Sequence, residues 1–102
     1  MKKELVIDGK TFDVEISADL VRIYRIEFGS EVFTDLQKAT QGDLSCIENL
    51  AYVMVKAADP SIKDLSTWLK SFDNPFAVIQ SSGRIISLWT ENLKTTSKAV
   101  KK

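Results

Sequence analysis

The chain has 102 residues, 44% hydrophobic and 27% charged, with fourteen basic and fourteen acidic side chains that cancel to a formal net charge of +0. That length supports one domain with its own core and is too short for two independently folded halves. The composition excludes a disordered chain, and no run approaches the roughly 20 apolar residues of a membrane-spanning helix.

Charge balance removes the electrostatic footprint of a general nucleic-acid binder. The basic cluster Lys94, Lys98, Lys101 and Lys102 reads as a solvated tail. At the start, Met1-Lys2-Lys3-Glu4 leads into apolar residues that Asp8, Gly9 and Lys10 interrupt, so no signal-peptide core forms and a cytoplasmic protein is expected.

The segment Leu5 to Ile16 reads as two short strands joined at Asp8-Gly9, the pair favoured in type I′ turns. A two-residue turn sets Leu5 across from Phe12. Leu5, Ile7, Phe12, Val14 and Ile16 then share one face, and Glu4, Thr11, Asp13 and Glu15 the other. An isolated hairpin is marginal in water, so that apolar face must be covered by helices of the chain or by strands of another copy.

Ser17 can cap a helix in which Leu20, Ile23, Tyr24 and Phe28 recur on one face, with Gly29 as its stop. A second helix is expected over Glu31 to Lys38, using Val32, Phe33 and Leu36. Asp43 opens the longest apolar-rich run, Leu44 to Ala58, where Leu44, Ile47, Leu50, Ala51, Met54 and Ala58 step by three and four. This spacing predicts a central buried helix that ends at Asp59-Pro60. Asp64 can cap a short helix over Leu65 to Phe72, with Leu65, Trp68, Leu69 and Phe72 on a face.

Asn74-Pro75 reads as a helix start, asparagine at the cap and proline at the first helical position. The final helix is expected to carry a narrow seam from Phe76 through Ile79, Ser82, Ile86, Trp89 and Leu93. Gly83, which costs about 1 kcal/mol against alanine, would mark a close helix contact or a bend. From Thr95 the pattern lapses, and residues 95–102 are expected to fray. The fold class is therefore α+β, mostly α: an N-terminal hairpin and about five helices in one small bundle spanning residues 1–102.

Chemistry is bounded by the residue inventory. Histidine is absent, and Cys46 is the single cysteine, so neither a zinc site of Cys and His ligands nor a disulfide can be assembled within one chain. Cys46 sits near Asp43 and Glu48, a setting that does not activate a thiol, and is expected to be a small buried apolar residue. The glycines at 9, 29, 42 and 83 are too scattered to cradle a phosphate. The carboxylate pairs Asp13 with Glu15 and Asp59 with Asp64 read as a solvent face and a helix start rather than acid-base machinery. Ser81 and Ser82 have no evident base. No catalytic, cofactor-binding or metal-binding residue is expected.

Aromatic residues are the informative surplus, with Trp68, Phe72, Phe76 and Trp89 concentrated in the last third. Core packing is the default for each. Trp68 and Phe72, however, share one face of a helix too short to enclose both rings, so this face, together with Trp89 in the final seam, is the expected partner-binding surface.

In order, the hairpin, a first helix ending Glu27-Phe28-Gly29, a central helix closing in Lys56-Ala57-Ala58-Asp59-Pro60, a short helix with Trp68-Leu69 and a long final helix form an arrangement that resembles the tail assembly chaperones of long-tailed bacteriophages. The likeness runs from the hairpin to Leu93 and rests on order more than on any one motif. It implies a non-enzymatic protein of the host bacterial cytoplasm that binds the tape measure protein, keeps it soluble while tube subunits polymerise, and is absent from the mature virion. It also implies several copies on one tape measure protein, hence a possible homo-oligomer. In many such phages a frameshifted longer form recruits the major tail protein, and Lys101-Lys102 is compatible with a slippery run of adenines. A head-tail connector or tail completion protein is the alternative, and would be found in purified particles. A small DNA-binding helical domain is a third reading, opposed by the neutral charge.

Overall fold

The computed structural model describes residues 2–101, with side chains described for residues 3–91. Strands β1 (Lys2–Ile7) and β2 (Lys10–Glu15) form an antiparallel hairpin with Leu5 opposite Phe12, the register that the turn predicts. Asp8 and Gly9 both take left-handed backbone, at φ 54° and 75°, as a type I′ turn requires. Leu5, Ile7, Val14 and Ile16 are buried and Phe12 packs beside them.

Six helices follow among the described residues: α1 (Ala18–Phe28), α2 (Val32–Thr40), α3 (Leu44–Ala58), α4 (Leu65–Lys70), α5 (Ala77–Gln80) and α6 (Ser82–Lys101). Helix α1 ends on Gly29, whose left-handed φ of 68° lets its N–H reach the Arg25 carbonyl. Ser17 occupies the cap position, but its side chain makes no capping hydrogen bond. Leu20 and Tyr24 point into the core, whereas Ile23, expected beside them, is 39% exposed. In α2 the inward positions are Val32, Asp35, Leu36 and Ala39, one stripe at helical spacing. Phe33 falls off that stripe and is 56% exposed, contrary to expectation.

Helix α3 is the hub. Its Asp43 cap accepts the Cys46 N–H at 3.2 Å, and it packs against β2 and every other helix. Cys46, Ile47 and the whole stretch Leu50 to Val55 are buried, so the helix is enclosed around its middle rather than along the single stripe expected. Leu44 and Ala58, at its two ends, are not fully covered. Asp59 turns to extended backbone before Pro60, which is where the chain leaves the helix.

Helix α4 is shorter than its apolar pattern and ends at Lys70. Beyond it, the Asn74-Pro75 expectation is corrected. Asn74 does not cap a helix at Pro75; its Oδ1 accepts the Phe76 N–H at 2.9 Å and its carbonyl accepts the Ala77 N–H at 3.1 Å, a local turn that delays α5 to Ala77. The final helix is also two helices. The chain breaks at Ser81, whose hydroxyl donates to the Val6 carbonyl at 3.0 Å and ties the junction to β1. That break resets the helical phase, so Ile85, Leu88 and Trp89 are buried while Ile79 and Ile86 are half-buried. A Cβ on Gly83 would meet nothing within 4 Å, so no close helix contact requires glycine there. The backbone of α6 stays helical past Thr95 to Lys101. The side chains of Leu93, Lys94, Lys98, Lys101 and Lys102 lie outside the described residues. Among the described residues, no helix is long and apolar enough to cross a membrane.

Gly9 sits in open space, so Gly9→Ala tests backbone conformation alone. At a left-handed φ it should lower stability by about 1 kcal/mol, read as an earlier urea midpoint with an unchanged slope.

Candidate functional site

The tryptophans expected to meet a partner are core residues. Trp68 is 4% exposed and Trp89 3%. Helix α4 cannot enclose Trp68 alone, but Phe12 from the hairpin and Tyr52 from α3 supply the missing walls, with ring centroids 5.8 and 5.9 Å away. Phe72 closes the cluster at 5.2 Å and is half-buried. Trp89 is anchored by its indole N–H, which donates to the Leu50 carbonyl at 3.3 Å. The partner surface assigned to Trp68, Phe72 and Trp89 is therefore corrected: two of the three are covered by elements distant in sequence.

One buried polar group escaped the sequence reading. Asp35 lies inside, and its Oδ2 accepts the Tyr24 hydroxyl at 2.6 Å. Burial is the main cause that raises the Tyr24 pKa, with the hydrogen bond to Asp35 adding to it. Cys46 stands in the same region, and its thiol is pushed up to about 11, by burial first and then by the negative charges of Asp35 and Asp43. A neutral, covered thiol is a poor nucleophile near neutral pH. Asp59 accepts from the Ser61 amide and hydroxyl, and Asp64 from the Thr67 hydroxyl at 2.6 Å; these bonds hold both carboxylates below their ordinary range. Both are turn and helix-start groups, as expected. Among the described residues no group of three His, Cys, Asp or Glu side chains is placed to hold a metal ion.

The surface offers apolar side chains instead. Ile26 is 69% exposed and Phe76 61%, and with Ile23 and Phe33 they stand out as large apolar groups in water. Two shallow grooves adjoin Ile23 and Phe33. One, of about 280 Å³, lies between α1 and α3 and is lined by Ile23, Glu27, Tyr52, Val53, Lys56, Ala57 and Pro60. The other, of about 270 Å³, is lined by Phe33, Leu36, Gln37, Thr40 and Thr90, between α2 and α6. Sequence reasoning counted Ile23 and Phe33 as core residues. The available signal was the pair Ile23 and Ile26, neighbours three apart that together form an apolar strip beside the core face.

Tyr24→Phe removes the donor to a buried carboxylate and should cost about 1–3 kcal/mol, more than its lost oxygen alone suggests. A double-mutant cycle with Asp35→Asn, read by chemical denaturation, should show the two changes to be non-additive. Cys46 should be alkylated by iodoacetamide at pH 8 far more slowly in the folded chain than in denaturant. Because its folded pKa lies above its unfolded value of 9.0, ionising it opposes folding, so stability should fall as pH rises from about 9 to about 11. Measured unfolding midpoints across that window, compared with Cys46→Ala, check the sign. No family model, curated protein or solved structure matches the chain.

Proposed function

We propose that this chain is a non-enzymatic tail assembly chaperone of a long-tailed bacteriophage, which binds the tape measure protein in the host cytoplasm and keeps it soluble while the tail tube assembles. The reading rests on the resemblance in element order. The observation that carries it physically is the set of large apolar side chains left in water: Ile23 on α1 and Phe33 on α2, each lining a groove, and Ile26 exposed on α1. Exposed apolar groups gathered at concave surfaces favour protein partners, and a chaperone must offer such surfaces while its remaining charge keeps it soluble. In this reading several copies coat one tape measure protein, and a longer frameshifted form recruits the major tail protein.

Co-expression with the tape measure protein encoded in the same phage genome tests the reading. Ile26→Asp combined with Phe33→Asp removes two exposed anchors without touching the core. It should lower soluble tape measure protein by roughly an order of magnitude, since each buried apolar side chain contributes about 1.5–3 kcal/mol. Equal solubility with and without the wild-type chain would sink the proposal, as would abundance of the chain in purified particles.

A further inference from the structure

We propose that the groove between α1 and α3 seats one amphipathic helix of a partner, and that the opposite charges on its two walls decide which way that helix runs. The floor is apolar: Ile23 on one side, Val53, Ala57 and the Tyr52 ring on the other, with Pro60 at the end. Such a floor offers no backbone partners, so an extended strand laid on it would leave N–H and C=O groups unpaired, whereas a helix satisfies its own. From Tyr52 to Ala57 the floor is roughly 7 Å long at 1.5 Å per residue, room for two anchors spaced three or four apart.

Glu27 stands on the α1 wall and Lys56 on the α3 wall. Glu27 forms no ion pair with another described residue, and the Lys56 ammonium lies 5.8 Å from the centre of the Tyr52 ring, at the groove edge. The occupant that complements both walls carries cations along one flank and carboxylates along the other. Turning such a helix end for end exchanges its flanks. One direction therefore pairs both rim charges and the other opposes like charges, so the rim selects direction more than it adds affinity.

The inference rests on the chaperone reading only for the identity of the natural partner. Its test therefore uses a synthetic peptide helix with leucines on one face, lysines on one flank, glutamates on the other and a nitroxide at its N-terminus. Added to the isotopically labelled full chain, it should broaden amides at one end of the groove, near Ile23 or near Pro60, and not at both. The double reversal Glu27→Lys with Lys56→Glu should bind it with similar affinity and move the broadening to the opposite end. Ile23→Asp should weaken binding by about tenfold or more. Ala57→Asp, at an exposed position in the groove lining, should weaken it measurably with the fold intact. Broadening at the same end in both proteins, at both ends in the wild type, or binding indifferent to both aspartate changes would overturn the proposal. None of these results involves tape measure solubility, so the two readings fail separately.

Discussion

A helix of fifteen residues whose middle is apolar on every side cannot remain in water unless every side is covered, and α3 is such a helix. In a chain this short its cover must come from all the remaining elements. The hairpin closes one side through β2, and the other helices close the rest. Covering α3 is what gives the short pieces their places. Helix α4, with six residues, and α5, with four, have too few residues to be stable alone, and they hold because they lie against this hub.

The same constraint consumes the aromatic residues. Trp68 and Trp89 are spent on sealing α3, one through the ring cluster with Phe12, Tyr52 and Phe72, the other through its hydrogen bond to the Leu50 carbonyl. What the hub leaves in water includes aliphatic residues on the side of α1, Phe33 on α2, and Phe76.

Among the described residues, Asp35 is the buried charged side chain of this core, and it is bonded to Tyr24. A carboxylate taken out of water costs several kcal/mol unless it is hydrogen-bonded, and the Tyr24 hydroxyl supplies one such bond across α1 and α2. Apolar packing alone tolerates sliding of one helix along another. A directional bond between two named atoms does not, so this pair sets the register of α1 on α2, assisted at the surface by the 2.8 Å Arg25–Glu31 ion pair.

Elements whose causes are local were legible in the amino-acid sequence. Asp8-Gly9 dictates a turn geometry, and that geometry dictates the register Leu5 to Phe12; Gly29, Asp43 and Pro60 mark helix ends because left-handed backbone, a capping carboxylate and a missing N–H act within a few residues. The long apolar run of α3 also announces burial without reference to anything else. Only the tertiary structure decided which face of each weaker helix turns inward, since α1 and α2 carry apolar residues on more than one side. In α2, Asp35 enters and Phe33 leaves because Tyr24 waits opposite. The break at Ser81 depends on the Val6 carbonyl, 75 residues away in the chain, and the covering of Trp68 depends on Phe12. Such contacts link residues that no local pattern connects, so which apolar side chains stay at the surface was decided only once the fold had closed.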